Sequence, residues 1–155
     1  MNTVVVSNAS ETELLQTYTH NRGFSIKYPN DWTVLTSTVG LDIVAFAPNG
    51  KEYLVEGSAA YPIYIVVHDQ SVAAHTQNIE DDRMSREMLG DNTFVRFGPK
   101  GTVRSTSYLI DLPRGSLSIN DNVREIAAAS GLTVTQEERM RTVFERMVAS
   151  LLIIQ

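Results

Sequence analysis

The sequence predicts an α+β domain in which an antiparallel sheet is framed by helices, and three stretches carry this prediction. Apolar and polar side chains alternate over residues 24–28, which is the period of a half-buried strand. Residues 61–68 are apolar and β-branched on both faces, as in a strand near the middle of a sheet. Residues 136–152 carry apolar side chains at three- and four-residue steps, which predicts an amphipathic helix lying on the sheet.

The N-terminal part is predicted to contain an arm and one short helix. We expect residues 1–9 to form a flexible arm that precedes a single domain over residues 10–155. Ser10 can cap a helix over residues 10–18, whose buried stripe would consist of Leu14, Leu15 and Tyr18.

The strand at 24–28 is expected to end at Pro29, because proline cannot donate to a ladder. Asn30 and Asp31 favour a turn, after which Trp32, the only tryptophan, re-enters the core. Short strands are predicted at 33–36 and 41–47. We expect residues 52–56 to pair across the turn at 48–51, and residues 57–60 to form a flexible connection.

The middle of the chain predicts a surface helix and a hairpin. Residues 71–89 are polar and free of glycine and proline, which favours a helix, although their apolar residues indicate a break near 80–82. Gly90 would end that helix. Residues 93–97 and 102–112 are separated by Gly98-Pro99-Lys100-Gly101, which is typical of a hairpin.

Residues near the C-terminus include one ambiguous segment. A turn is expected at 113–115, a short strand at 117–119 and another turn at 120–122. Residues 123–130 would form a helix if Asn122 and Glu125 make a capping box. The same segment would form a strand if it pairs back onto residues 116–119, and we favour the strand. Thr135 and Glu138 are predicted to cap the final helix, whose apolar stripe is Met140, Val143, Phe144, Met147, Val148, Leu151 and Leu152.

Composition narrows the function classes. The 155 residues include 13 basic and 18 acidic side chains, and the net charge of −5 argues against a nucleic-acid partner. The chain has no cysteine, which excludes disulfides and cysteine nucleophiles. No apolar run is long enough to span a membrane. Neither a signal peptide nor a lipoprotein cysteine is present, so an extracytoplasmic location would require a leader that was removed.

Two segments carry a family resemblance. The layout resembles the PsbP-like fold on the motif GFSIKYPNDW at residues 23–32 and on the helix VFERMVASL at residues 143–151. This fold is shared by the extrinsic photosystem II protein PsbP, a Ran-binding nuclear import factor and uncharacterised bacterial proteins. The resemblance implies an α/β/α sandwich with a central antiparallel sheet and a non-enzymatic accessory or binding protein. It transfers no functional residue to this chain.

His68, Asp69 and His75 are the strongest candidates for a metal site. They would lie at a strand end and in the following helix, and Glu80 would be a further ligand. Their spacing matches no known site, and the favoured interpretation is a solvated loop histidine and a histidine on a helix face, with Asp69 acting electrostatically at the helix start. We therefore expect no metal and no cofactor.

Other candidates for chemistry are weaker. A serine acts as a nucleophile only when a base is in reach and an oxyanion hole is present, and the sequence contains no Gly-x-Ser-x-Gly elbow. We therefore expect four candidate serines to lie on polar faces of exposed strands, namely Ser105, Ser107, Ser116 and Ser118. The acidic run at 80–82 is expected to be solvated beside Arg83 and Arg86. The Gly98–Gly101 turn lacks the ending of a phosphate loop.

The aromatic residues, most of which are expected in the core, leave two functions open. Most are expected in the core, and they are Tyr18, Phe24, Tyr28, Trp32, Phe46, Tyr61 and Tyr64. We expect a non-enzymatic protein that acts through contacts with another protein, of unassigned oligomeric state. The alternative is a carrier of a small ligand or metal ion, at a cleft near Trp32 or at the His68 region.

Overall fold

The computed structural model describes residues 14–79, 83–98 and 105–154. These residues form strands and helices in the following chain order: β1 (Leu14–His20), β2 (Phe24–Pro29), β3 (Trp32–Ser37), β4 (Asp42–Pro48), β5 (Tyr53–Val55), β6 (Ser58–Ala60), β7 (Ile63–His68), α1 (Val72–Thr76), β8 (Met84–Leu89), β9 (Asn92–Phe97), β10 (Thr106–Asp111), β11 (Ser116–Asp121), α2 (Val123–Ser130), α3 (Val134–Ser150) and β12 (Leu152–Ile153). No helix in this part of the chain is long and apolar enough to cross a membrane.

The central feature is a seven-stranded sheet in the order β3-β4-β7-β11-β10-β9-β8. Every neighbouring pair is antiparallel, which confirms the predicted sheet. β7 lies inside the sheet, between β4 and β11, as its apolar composition predicts. β11 is the middle strand, and all six of its residues are buried.

The sheet is covered on both faces. The larger core lies between the sheet, α2, α3 and a three-stranded sheet of β1, β2 and β12, and it contains Ile65, Leu117 and Phe144. On the opposite face, Val72 of α1 packs against Phe97 and Leu109. Helices on both sides of one sheet make an α/β/α sandwich, as the resemblance implies.

The opening strand is confirmed, although it joins the smaller sheet. β2 ends at Pro29, and Phe24 and Ile26 are fully buried. A turn follows, and Trp32 then starts β3 with only 7% of its surface exposed. Burial of a strand's alternate residues is what the period of two predicts.

Trp32 provides a direct test of this packing. We expect its fluorescence to be blue-shifted in the native protein and to move to longer wavelength on unfolding in urea, because the indole is buried. Excitation at the red edge of the absorption band, where tyrosine does not absorb, isolates the emission of this single tryptophan. A native emission maximum equal to that of free tryptophan in water would contradict the buried position.

The helix predicted over 10–18 is wrong in its described part, where residues 14–20 form β1. β1 pairs with β2, and Tyr18 lies opposite Ile26. The Tyr18 ring packs edge-on against Phe46 at 6.4 Å, and the His20 ring stacks on Phe24 at 4.9 Å. These long-range contacts outweigh a local cap. The proposed cap at Ser10 and the arm at 1–9 lie outside the described residues.

The segment after β4 also differs from its prediction. β5 pairs with β6 rather than back across the turn at 48–51, and residues 58–60 are a strand rather than a flexible connection. Glu56 and Gly57 both have positive φ, at 51° and 79°. Two central residues with positive φ make the type of two-residue turn that closes a tight hairpin, so β5 pairs with its immediate neighbour.

The surface helix predicted over 71–89 is wrong beyond its first turns. α1 covers Val72–Thr76 only, and Met84–Leu89 is the edge strand β8. β8 pairs with β9 through the turn at Gly90, so sheet formation replaces a helix that lacked a clean apolar period. The expected break at 80–82 lies outside the described residues. β9 and β10 do pair as predicted, while 99–104 lie outside the description.

Residues 116–130 are organised differently from the prediction. Asn120 and Asp121 belong to β11 rather than to a turn, and residues 123–130 form α2 rather than a strand. The Asn122 side chain makes no cap hydrogen bond; Asp121 Oδ1 accepts from the Val123 amide at 2.9 Å instead. Gly131 ends α2 in the left-handed conformation, so the glycine that argued against a helix is its cap.

The long C-terminal helix is confirmed with a shifted start. Its capping box is Thr133 with Gln136 rather than Thr135 with Glu138. Its buried stripe is the predicted one, and it contains Met140, Val143, Phe144, Met147 and Val148. Leu152 is 59% exposed and belongs to β12, which pairs with β2, so the helix ends before it.

Candidate functional site

The structure brings His68 and His75 together. His68 ends β7, and His75 lies in α1, which begins four residues later. Their ring centroids are 4.5 Å apart. Asp69 is not part of this pair, because its carboxylate accepts from Arg22 at 3.2 Å. Ser71 caps α1, and the Val72 amide donates to Asp111 at 2.8 Å, so other residues make these contacts at the helix start; the electrostatic role of Asp69 there remains a prediction.

The two histidines line a cavity of about 340 Å³ between α1 and the sheet, which we call the α1 cavity. Its wall combines polar and apolar side chains from four strands, β7, β9, β10 and β11, with others from α1 and the loops. The lining residues are Leu41, Tyr64, Val66, His68, His75, Ile79, Arg83, Phe97, Ser107, Leu109, Ser118 and Asn120.

A hydrogen-bond chain forms the floor of the α1 cavity. Ser107 donates to Asn120 Oδ1 at 2.6 Å, and Asn120 Nδ2 donates to Ser118 Oγ at 3.0 Å. Ser118 Oγ in turn lies 3.3 Å from His68 Nε2. These side chains alternate with core residues along β10 and β11, which places all of them on one face of the sheet.

The serines are less exposed than the sequence predicts. Ser116 and Ser118 are buried because they lie on β11, the middle strand, which has neighbours on both sides, and Ser105 and Ser107 are half-buried. Ser118 contacts a histidine, but a catalytic serine also needs a group that orients the base and an oxyanion hole. Among the described residues no carboxylate hydrogen-bonds to His68. The pair therefore belongs to the hydrogen-bond chain of the floor.

Burial lowers the pKa of His68 below its ordinary value of 6.5, and the neighbouring His75 lowers it further. The carboxylate of Asp69 acts in the opposite direction but is the weakest of the three influences. The unfolded chain thus binds a proton more readily at this residue than the folded chain does. Consequently this residue's contribution makes the folded state less stable as the pH falls below about 6.5.

We expect proton NMR to show the His68 ring titrating below 6.5. Replacing His75 with glutamine should move that titration only part of the way back, because burial is the larger cause. A His68 midpoint at or above 6.5 would contradict the described packing.

Arg83 is a site residue that the sequence analysis missed. It lines the α1 cavity, and its Nε atom is buried without a hydrogen-bond partner. The sequence analysis placed Arg83 in a surface helix next to the acidic run at 80–82, which lies outside the described residues. No sequence pattern marks it, because its burial follows from the start of β8 beside Gly98, whose amide donates to the Arg83 carbonyl at 3.3 Å.

The expected cleft near Trp32 is present at the other end of the sheet. It has a volume of about 260 Å³ and lies between the start of β3, the turn after β4 and α3. Aromatic and aliphatic side chains form much of its wall, with charged groups among them. It is lined by Asp31, Trp32, Pro48, Lys51, Tyr53, Leu132, Gln136, Arg139, Met140 and Val143. Ligand binding there remains a prediction.

Most of the remaining aromatic candidates lie in or against the core. Phe24 and Phe46 are fully buried, and Tyr18 and Tyr28 pack on the same cluster. Tyr64, by contrast, lines the α1 cavity on the opposite face. Burial raises its pKa.

The outer edge of β3 is the third candidate site. Within residues 14–79, 83–98 and 105–154, β3 pairs only with β4, and its sequence, WTVLTS, contains no charged residue. Exposed apolar side chains lie on this strand and on the turn that follows it, namely Leu35 at 44%, Val39 at 91% and Leu41 at 55%. We call this strand with its three side chains the β3 edge. The opposite edge, β8, carries Arg86 and Glu87.

The expectation that the chain holds no metal remains a prediction. Within residues 14–79, 83–98 and 105–154, no three side chains of the metal-binding types lie close enough together to hold an ion. We expect calorimetry with zinc at neutral pH to show no tight binding. A stoichiometric site with sub-micromolar affinity that is lost in His68→Ala would contradict this.

Comparison with known proteins adds the fold. No protein-family model matches the sequence, and no curated protein matches it significantly. A crystal structure from Bacteroides thetaiotaomicron VPI-5482 has a TM-score of 0.53 at 13% identity, over 92% of this chain and 50% of that one. The solution structure of cyanobacterial PsbP (CyanoP) from Synechocystis sp. PCC 6803 has a TM-score of 0.51 at 10% identity, over 90% and 92%.

The chain thus spans half the length of the Bacteroides chain and nearly all of CyanoP. At such low identities the likeness concerns the backbone arrangement alone. This chain therefore has a PsbP-like fold.

Proposed function

We propose that the protein is a non-catalytic binding protein that acts through contacts with another protein, and that the β3 edge is the contact surface. The observation that carries this proposal is an uncharged edge strand whose outer side has no strand partner among the described residues, with exposed apolar side chains beside it. The PsbP-like fold is consistent with a non-catalytic accessory protein.

An edge strand offers a row of backbone amides and carbonyls that another extended segment can pair with. Proteins usually protect such edges with charges, bulges or proline. β8 follows this rule through Arg86 and Glu87, and Glu87 also contacts Arg96 at 3.5 Å. β3 has six residues and none of these protections. The seven-stranded sheet therefore has one protected edge, β8, and one edge that is open to pairing, β3.

The side chains near β3 suggest what the partner segment looks like. Leu35, Val39 and Leu41 favour apolar residues on one face of the added strand, because those residues would bury this exposed area. The net charge of −5 favours a basic surface around that segment. The occupant is thus an extended segment of another protein with basic flanks, and its retention should fall as salt rises.

Site-specific cross-linking tests this assignment. A benzophenone amino acid in place of Val39 should capture one specific polypeptide in the native host, while the same residue in place of Met88 on β8 should not. Met88 is a matched control, because it is 71% exposed and lies on the guarded edge. Leu35→Lys should reduce capture from position 39 at least about tenfold, whereas Met88→Lys should leave it unchanged.

Several outcomes would refute the proposal. Capture of the same polypeptides from both positions would show that the contact is non-specific. Capture of no polypeptide would show that no partner protein binds at the β3 edge. Cross-links from position 39 to a second copy of this chain would make the edge a self-association surface instead. Circular dichroism of both lysine variants checks that the fold is intact, which we expect because both sites are exposed.

A further inference from the structure

From the geometry of the α1 cavity we infer a binding site for a small organic anion, whose carboxylate or phosphate group pairs with Arg83 and whose body lies on the apolar wall. This site shares Leu41 with the β3 edge and has its other lining residues elsewhere, and neither assignment depends on the other. Four features of the cavity lead to it.

The first feature is the state of Arg83. Its Nε atom is buried and has no hydrogen-bond partner, and among the described residues it is the only such side-chain atom. An unpaired buried donor is costly, and the cost is greater when the group is charged. The Nε and one terminal nitrogen of a guanidinium form a fork that matches the two oxygens of a carboxylate or phosphate. An oxyanion at this position would satisfy the Nε donor.

The second feature is the sign of the charges around Arg83. The cavity is lined by this arginine and two histidines, and no carboxylate belongs to its described wall. Asp69 follows His68 directly in sequence, but its side chain is 96% exposed and pairs with Arg22. For the residues of the wall that the structure describes, this balance of charge is unexpected in a chain of net charge −5, and it favours an anion over a cation.

The third feature is the floor of neutral hydrogen-bonding groups. Ser107, Asn120 and Ser118 are held in position by bonds to one another and to the backbone of Tyr64. His68 joins this chain through Ser118, so its imidazole is oriented before any ligand arrives. Polar groups fixed in this way bind a ligand with little loss of side-chain freedom.

The fourth feature is the apolar part of the wall together with the size. Val66, Phe97 and Leu109 line the cavity beside the polar groups. A volume of about 340 Å³ lies at the small end of the range for ligand sites, roughly 300–1,000 Å³. A wall that is partly apolar suits an organic body attached to the anionic group better than a bare inorganic ion.

NMR titration of the isotope-labelled protein tests the site with defined probes. Benzoate and phenyl phosphate represent the two anionic groups, and benzamide is the neutral analogue of benzoate. We expect benzoate or phenyl phosphate to shift the amide signals of Ser107 and Ser118 and the ring signals of His68 and His75. Benzamide should bind at least about tenfold more weakly, because it cannot form the charge-assisted pair. The two anions compared with each other identify which group is preferred.

A pair of arginine variants locates the contact. Arg83→Gln should weaken binding of the preferred anion at least about tenfold, while Arg86→Gln should change it less than twofold. Arg86 is the matched control, since it lies three residues along the same segment, is exposed and lines other grooves beside α1.

Two results with the native protein would overturn the site. The first is equal binding of benzoate, phenyl phosphate and benzamide. The second is that no cavity signal shifts at about 10 mM of each probe, a concentration on the order of the weakest dissociation constant that would still be useful. Equal weakening in both arginine variants would also overturn it, because that pattern indicates a general charge effect. The comparison among probes uses the native protein, so it holds even if Arg83→Gln does not fold.

Discussion

Replacing Gly90 with alanine should destabilise the protein by at least about 3 kcal/mol. Gly90 forms the turn between β8 and β9 with φ of +61°, a conformation that side-chain-bearing residues rarely adopt. An added Cβ would also overlap the backbone carbonyl of Ala149 near the end of α3. A backbone atom cannot swing aside, so the turn would have to move away from the helix. That movement would break the bond from Asn92 Nδ2 to the Leu151 carbonyl, which measures 2.6 Å.

Urea unfolding of Gly90→Ala measures this cost, and Gly50→Ala is its control. Gly50 has φ of +70° but no atom within 4 Å of an added Cβ. The control therefore reports the backbone strain alone, about 1–2 kcal/mol. Equal losses in the two variants would show that the turn at Gly90 does not touch α3.

Replacing Phe144 with alanine should cost about 3–5 kcal/mol, the usual range for a buried aromatic residue. Phe144 is 3% exposed in the middle of α3, and its ring lies 5.8 Å from the ring of Tyr108 on the sheet. Its removal leaves a cavity between the helix and β10, because the neighbouring strands are held by their ladders and cannot collapse into it.

The control for this variant lies on the same helix. Val134 begins α3 and is 71% exposed, so Val134→Ala should change the free energy of unfolding by about 0.5 kcal/mol or less. A loss below about 1 kcal/mol for Phe144→Ala in urea would mean that α3 does not pack on the sheet and that the described layers are wrong.

Residues of the candidate sites were predictable to different degrees. His68 and His75 were identified from their residue type, and their approach follows from a strand end leading into a helix. The cleft near Trp32 follows from a large aromatic residue at the end of the sheet. Arg83 was not predictable, because an arginine beside an acidic run is ordinarily solvated, and only its position at the α1 cavity buries its Nε atom.

Local pattern was sufficient wherever one segment carries its own evidence. The alternation from Phe24 and the stop at Pro29 predicted β2, and the three- and four-residue steps predicted the stripe of α3. These patterns work because the period of side chains along a strand or helix is a property of the backbone itself. The absence of cysteine and the net charge were equally independent of the fold.

The segments that were predicted wrongly are those whose state depends on pairing or packing with a partner outside the segment itself. Residues 14–20 and 84–89 contain plausible helix formers, yet both become strands because β2 and β9 offer backbone partners and buried neighbours. Residues 123–130 become a helix since Val123 and Ile126 find a core made by β5 and α3. Pairing and burial release more free energy than local propensity, and neither can be evaluated until the chain has brought the partners together.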